Sequence, residues 1–354
     1  MKNKSNKYLI LIPAYNPSTK LIELVDDLSK CKLDILIVND GSINSDKIFN
    51  ELREKNNCIV LEYSENSGKG YAMKYGIDYY LNDLQDKYLG IVTVDADYQH
   101  KPSDVLKVID NMGKDKIVLG SRNFKSKNVP LPNRMGNQIT STIFKFLYGT
   151  KIFDTQTGLR GIPNEYLENC LEIKGDRYEY EMEELIYFVN KKIEIKEVEI
   201  ETVYYEEDES KFNKVQDSFK IYKVMLKESF RFLITSLMSA LVDLILFTIF
   251  LNVFYSMGYL SIILATFIAR IISEFLNFNL TKSFVFNSKE KAKDIIFKYY
   301  LLSFLKMILS ALMVVLISKV IVRSETLIKI VVDTLLYFMS YRIQKKFIFK
   351  TCNE

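Results

Sequence analysis

Leu89-Gly90-Ile91-Val92-Thr93-Val94-Asp95-Ala96-Asp97-Tyr98-Gln99-His100 is the stretch that decides the fold. A nearly unbroken apolar run ends in two carboxylates separated by one alanine. Such a run reads as a strand covered on both faces. An Asp-x-Asp pair alone is common on protein surfaces. Directly after a buried strand, its charges must be solvated, paired or bound to a metal. Oxygen ligands of this kind suit Mg²⁺ or Mn²⁺.

The pattern repeats on either side. Tyr8–Ile12, Asp34–Val38, Ile59–Tyr63 and Ile117–Leu119 are further short apolar runs. Leu21–Ser29, Lys47–Glu54, Gly70–Leu81 and Ser103–Asn111 between them have helical spacing. This alternation predicts an α/β domain with a mostly parallel, doubly wound, Rossmann-like sheet. Polar motifs follow the strands: Pro13-Ala14-Tyr15-Asn16, Asn39-Asp40-Gly41-Ser42 and Asn66-Ser67-Gly68-Lys69-Gly70, then Asp95 to His100. Each alone reads as a turn or an exposed loop. The third is no P-loop, since Gly70 follows Lys69 where Ser or Thr is required. Ligands of open α/β sheets bind beyond the carboxyl ends of the strands, so the four motifs are predicted to share one cleft.

The bulk numbers narrow the functional classes. The 354 residues carry a net charge of +4, which gives no electrostatic case for nucleic acid. One histidine, His100, excludes chemistry built on several. Cys31, Cys58, Cys170 and Cys352 lack metal-type spacing and read as free thiols. Met1 to Lys7 is polar and the following apolar run is too short for a signal peptide, so this part is expected in the cytosol.

The order of these motifs, continued by Gly120-Ser121-Arg122, Asn133-Arg134-Met135-Gly136-Asn137, Asp154-Thr155-Gln156-Thr157-Gly158-Leu159-Arg160-Gly161 and Tyr178-Glu179-Tyr180-Glu181, resembles glycosyltransferase family 2. The branch it looks most like is the dolichyl/polyprenyl-phosphate sugar transferases, which have a GT-A fold. The likeness covers roughly residues 7–220. It implies that Pro13, Ala14, Tyr15 and Asp40 hold the nucleotide, with Asn66 and Lys69 lining the pocket. It implies that Asp95, Asp97 and Gln99 bind the metal and, through it, the donor diphosphate. Arg122 and Arg134 would face phosphates, Asp154 the transferred sugar and Glu181 the floor of the site. The chain departs from the family pattern at Pro17, where Glu is frequent, and at Lys101, where Pro is usual. Near the membrane the family has Ser-His-Phe-x-x-x-Arg-Asp, and this chain has Ser210-Lys211-Phe212-Asn213-Lys214-Val215-Gln216-Asp217. Gln216 removes a cation there, and Lys211 or Lys214 is expected to replace it.

The chemistry implied is transfer of a hexose from a GDP- or UDP-sugar, with inversion. A divalent metal on the diphosphate stabilises the leaving group. A hydroxyl acceptor needs a base to take its proton. An ionised lipid phosphate needs cations instead, and a chain poor in histidine suits that acceptor better. The alternatives are a transferase with a hydroxyl acceptor and a non-catalytic carrier of lipid-linked sugars that binds nucleotide-sugar. A processive synthase is disfavoured, because its Gln-x-x-Arg-Trp motif needs a tryptophan and there is none.

Apolar runs dominate from Phe230 onward. Spans are predicted at Phe232–Tyr255, Tyr259–Phe278, Tyr299–Val322 and Thr326–Tyr341, against the roughly 20 residues a bilayer requires; the last is short and would extend toward Phe347. Lysines before the first span, between the second and third, and after the fourth place both termini and the catalytic domain on the cytosolic face of the cell membrane. Phe212, Val215, Phe219, Tyr222, Leu226 and Phe230 recur at helical spacing among lysines and predict an interfacial helix. The expected domains are therefore 1–211, a juxtamembrane helix at 212–231, and a four-helix membrane domain at 232–354. The run from Phe275 to Phe286 is echoed by that from Phe338 to Phe349, so spans one and two look like a copy of three and four. With Asp243, this part resembles the GtrA-like family, linked to moving or presenting lipid-linked sugars. Asp243, Arg270, Glu274, Lys306 and Asp333 are ionisable residues within the spans. Tetramers occur among the resembling transferases, and no residue here points to a homo-oligomer.

Overall fold

The computed structural model describes residues 7–124, 129, 131–201, 216–318 and 325–349. The chain divides into two compact units, Met1–Met225 and Leu226–Glu354. Lys211, Lys214, Lys319, Arg323 and Cys352 lie outside the described residues, as does the side chain of Gln216.

In the first unit, strands β1 (Leu9–Ala14), β2 (Asp34–Asp40), β3 (Cys58–Tyr63), β4 (Gly90–Thr93) and β5 (Lys116–Arg122) alternate with helices α1 (Lys20–Lys30), α2 (Asp46–Arg53), α3 (Lys69–Asp83) and α4 (Pro102–Asn111). Every predicted strand and helix of this part is present. α1 buries Leu21, Leu24, Val25 and Leu28, the stripe that its spacing dictates. α4 starts on Pro102, whose missing N–H costs nothing at a helix start. Elements not predicted follow: α5 (Leu131–Tyr148), β6 (Arg160–Pro163), α6 (Asn164–Glu172), α7 (Glu179–Asn190) and β7 (Glu194–Ile200).

The seven strands form one sheet in the order β3-β2-β1-β4-β6-β5-β7. β6 runs antiparallel to β4 and β5, and the other pairs are parallel. The sheet is therefore mostly parallel, as predicted. β6 is what brings the Asp154–Gly161 motif beside β4, because Thr93 pairs with Arg160. β1 and β2 are covered on both faces and anchor the core with α1 and α4.

The remaining helices are α8 (Gln216–Val253), α9 (Tyr259–Leu280), α10 (Ala292–Ser318) and α11 (Glu325–Ile343). Three segments of the described residues, Asp217–Val253, Tyr259–Val285 and Ala292–Ser318, are long and apolar enough to cross a membrane. The fourth predicted span does not reach that standard. α11 carries Glu325, Lys329, Asp333 and Arg342 over 19 residues. On the early part of α8, Ile221 and Met225 are buried while Phe219 and Phe230 are well exposed.

The repeat seen in the sequence is real in three dimensions. α9 and α11 each end in a π-helical turn, Thr281–Val285 and Gln344–Ile348, at matching positions of the two copies. The ring contacts match as well. Phe278 meets Phe349 at 5.9 Å, and their counterparts Tyr341 and Phe286 meet at 5.7 Å. Phe286 and Phe349, which are each other's counterparts, stack at 5.3 Å. A local pseudo-twofold axis therefore passes between those two rings.

Candidate active site

The site begins where β1 and β2 end. Pro13 and Ala14 close β1, and Tyr15 follows. Asn16 turns the chain at φ 43°, its N–H donating to Ser42 Oγ at 2.8 Å. Ile43 N–H returns a bond to Asn16 Oδ1 at 2.6 Å. The first two motifs are thus stitched together, as the strand-end argument requires. Gly41 sits at φ 59°, where a Cβ would strike the backbone of Glu65 at 2.3 Å. No other residue fits that turn.

Asp40 is 3% exposed, and its carboxylate is fully engaged. It accepts from Tyr63 Oη at 2.8 Å, Asn66 Nδ2 at 2.9 Å, Ser67 N at 2.7 Å and Gly68 N at 3.0 Å. Asp40 and Asn66, both predicted in the nucleotide pocket, are partners. The pair ties β2 to the loop that launches α3.

Lys69, the first residue of α3, reaches into the cleft. Its Nζ donates to Asp95 Oδ1 at 2.6 Å and Glu181 Oε1 at 2.8 Å. Three elements far apart in the chain meet at this ammonium. Burial alone would lower the Lys69 pKa, but the two carboxylates raise it overall. Asp95 also receives His100 Nε2 at 3.2 Å. Burial pushes the Asp95 carboxyl up, yet Lys69 and His100 more than reverse this and hold it well below the usual range. Asp97 behaves oppositely. Burial raises its pKa, and the negative charge of Asp95 raises it further. It accepts from Gln99 N–H at 3.1 Å.

Gly158 lies against Asp95. A Cβ there would sit 2.3 and 2.5 Å from the two carboxylate oxygens. Thr93 Oγ1 fixes this approach by donating to the Gly158 carbonyl at 2.7 Å. Behind it, Arg160 is 1% exposed and donates to Glu184 Oε2 at 2.6 Å, the Glu181 carbonyl at 2.7 Å and the Thr157 carbonyl at 2.9 Å. Arg160 thereby clamps the start of α7, which carries Glu181.

Asp154 is fully buried and bound in a fork by Arg122, through Nε at 2.7 Å and Nη2 at 3.1 Å. These two, predicted to face sugar and phosphate separately, form one ion pair. Arg134 lies in the first turn of α5, half-buried.

Residues 9–171 match the model of glycosyl transferase family 2, and residues 231–349 match the GtrA/DPMS transmembrane domain. A UDP-N-acetylglucosamine–dolichyl-phosphate N-acetylglucosaminyltransferase of Methanococcus voltae is 35% identical over 61% of this chain and 94% of its own length. The chain belongs to glycosyl transferase family 2. An uncharacterized protein of Methanocaldococcus jannaschii is 33% identical to this family 2 chain, over 64% of it and 96% of the relative. A dolichyl-phosphate beta-glucosyltransferase of Dictyostelium discoideum is 28% identical over 65% of the chain and 76% of the relative. The mostly parallel sheet agrees with the GT-A architecture expected of the family, and the apolar helices make this a membrane protein.

Sequence reasoning missed three contributors. Gly158, Arg160 and His100 lay inside quoted motifs with no role attached. Gly158 in the loop before β6 was detectable as a glycine among larger residues. Nothing local marked Arg160, because its partner Glu184 is on another element. Among the described residues no group of three His, Cys, Asp or Glu side chains is placed to hold a metal.

Proposed function

We propose that the chain is an inverting glycosyltransferase that moves a sugar from a cytosolic nucleotide-sugar to a polyprenyl phosphate, making a lipid-linked sugar for the cell envelope. One observation carries this reading. Asp95 and Glu181 share Lys69, Asp154 is held by Arg122, and Asp40 is saturated by hydrogen bonds. His100 is buried with Nε2 on Asp95. Among these acids Asp97 alone has neither a salt-bridge partner nor a carboxylate filled by hydrogen bonds, and its role is the metal. Among these described residues the acids and His100 are each engaged or assigned to the metal, which disfavours a hydroxyl acceptor that must lose a proton, whereas an ionised phosphate needs none removed.

The donor set fits a hard divalent cation. Burial and the neighbouring Asp95 charge raise the Asp97 pKa, an effect that a bound cation would oppose, and Asp95, Asp97 and Gln99 offer the oxygen ligands such an ion prefers. Asp97 and Gln99 would hold Mg²⁺ or Mn²⁺ with Asp95, and the bound ion would offset charge on the leaving diphosphate. Lys69 holds Asp95 and Glu181 in place. Arg122 fixes Asp154, so that its buried charge can stabilise positive charge developing on the sugar. Pro13, Ala14 and Tyr15 line the nucleotide pocket, whose wall the Asp40–Asn66 pair supports. Arg134 supplies a cation for phosphate. The donor is a nucleotide-linked hexose or N-acetylhexosamine; the names of the two transferases above favour glucose, or N-acetylglucosamine carried on UDP. The basic clusters support a catalytic unit and both termini in the cytosol.

The test is direct. Purified full-length protein is incubated with labelled UDP-glucose, UDP-N-acetylglucosamine or GDP-mannose, Mg²⁺ or Mn²⁺, and polyprenyl phosphate, and lipids are extracted. A labelled lipid is expected from at least one donor, and none from any donor would end the proposal.

A further inference from the structure

Asp154 lies in an irregular loop between α5 and β6, yet it must meet the site in one orientation. Helix α5 takes two carbonyls of that loop. Asn137 Nδ2 donates to the Phe153 carbonyl at 2.5 Å, and Ser141 Oγ donates to the Ile152 carbonyl. The N–H groups turn the other way, to the sheet. Glu197 of β7 accepts from Phe153 N at 2.9 Å through Oε1 and at 3.1 Å through Oε2, and from Asp154 N at 3.2 Å through Oε1. Ser121 of β5 bonds to the same carboxylate. β5 and β7 pair at one edge of the sheet, and β5 also supplies Arg122. Asp154 is therefore held twice, by its backbone from β7 and by its carboxylate from β5.

Folding alone gives no reason for an acid at this position. Glu197 is half-buried, and burial raises its pKa. The bonds from Asp154, Phe153 and Ser121 oppose that rise, and the charge of Asp154 adds to it. The donors that Glu197 meets, two backbone N–H groups and a hydroxyl, are all neutral. A neutral acceptor would satisfy them without placing a second carboxylate beside buried Asp154. The charge has a use in the reaction instead. Arg122 and Asp154 together carry no net charge, so the pair alone offers little to a sugar that is becoming positive. With Glu197 ionised, the three groups carry one net negative charge, in a partly buried place where screening is weak.

We propose that Glu197 is a positioning residue for the transfer step: it anchors the Asp154 turn and, as an anion, gives the Arg122–Asp154 pair the net negative charge that a cationic sugar needs. The inference rests on the proposed function, which gives Asp154 its task.

The experiment compares full-length wild type, Glu197→Gln and Glu197→Asp in the lipid-labelling assay, with the concentration of nucleotide-sugar varied. Gln keeps the shape and one oxygen for the N–H groups but loses the charge. Asp keeps the charge and withdraws it by one methylene. The charge matters only once the sugar turns cationic, so Glu197→Gln should lose kcat about tenfold while KM for the donor changes by less than about twofold. Its Tm should not fall, because a repulsion is removed. Glu197→Asp should keep more turnover than Glu197→Gln, the reverse of the order that a merely structural anchor would give. Wild-type kcat in Glu197→Gln, a loss carried entirely by KM, or an equal loss in Glu197→Asp would overturn the proposal. If Glu197→Gln fails to fold, a folded Glu197→Asp that loses kcat by about tenfold or more overturns it too. A wild type that labels no lipid with any donor would end the proposed function and this inference with it, whereas full turnover in Glu197→Gln would end this inference alone.

Discussion

Gly158→Ala adds one methyl group and should disable the site without unfolding the protein. The new Cβ would lie 2.3 Å from one Asp95 oxygen, 2.5 Å from the other and 2.6 Å from the carboxyl carbon. Ordinary contact begins near 3.4 Å, so one group must retreat by about 1 Å, the difference between 3.4 and 2.3 Å. The glycine cannot retreat freely, because Thr93 Oγ1 holds its carbonyl. The carboxylate cannot swing freely either, since Lys69 holds one oxygen and His100 the other. Overpacking of this kind costs roughly 1–3 kcal/mol of stability. A displacement of about 1 Å at reacting groups costs on the order of 10²-fold in rate. Turnover to labelled lipid should therefore fall about 10²-fold, with only a modest loss of thermal stability. Gly161→Ala is the control. Its Cβ would meet Met112 Sδ at 2.7 Å, Met112 Cγ at 2.9 Å and Val108 Cγ1 at 3.1 Å, side chains of the α4 layer and not a group of the site. That variant should keep most of its activity. Near-normal turnover by Gly158→Ala would refute the placement of Asp95 in the reaction.

Arg160→Met should destabilise the full chain by roughly 3–5 kcal/mol, because it strands buried Glu184 without its cation; thermal unfolding in detergent reads this as a marked fall in Tm. Asp40→Ala leaves the N–H groups of Ser67 and Gly68 without their acceptor, at about 1–3 kcal/mol for a buried unsatisfied group, and should weaken nucleotide binding by about tenfold in calorimetry. Asp97→Asn should abolish the dependence of lipid labelling on Mn²⁺ together with the labelling itself. Burial pushes the Cys58 thiol up to about 12, and the Cys170 thiol is also raised well above its usual value. Since only the thiolate alkylates, both should resist iodoacetamide at pH 8, and Cys58 should become reactive only as pH approaches 12, which peptide mass mapping would detect.

The first half of the catalytic unit was legible because its strands are apolar runs and its functional groups sit at their ends. That logic placed Asp40, Lys69 and Asp95 at one edge of the sheet before any coordinates. It failed beyond Arg122 for a physical reason. β6 is four residues long and reads Arg-Gly-Ile-Pro, with too little apolar pattern to mark a strand. Its antiparallel insertion, which carries Gly158 and Arg160 to the site, is a tertiary event. Pairing was equally invisible. Asp154 and Arg122 were read as separate contacts with ligand, yet in the fold they bond to each other. Side chains at strand ends can be assigned to a cleft from sequence, but their choice of partner depends on distances of a few ångströms.

The membrane unit shows the same division at a larger scale. The echo of Phe275–Phe286 in Phe338–Phe349 revealed the repeat, and matched π-helical turns and reciprocal ring contacts follow from it. The charges do not repeat. Asp243 and Arg270 lie 3.5 Å apart in the first copy, while the same two positions in the second are Lys306 and Asp333, with the signs exchanged. Asp333 is taken instead by Lys329 at 2.9 Å and Ser310 at 2.5 Å. Lys306 is thereby released toward a cavity that Glu274 also lines. A duplication that kept either copy unchanged would have placed like charges at both members of each pair, two aspartates or two lysines at 243 and 306. The divergence of the copies, and not their likeness, therefore sets the distribution of charge inside this unit.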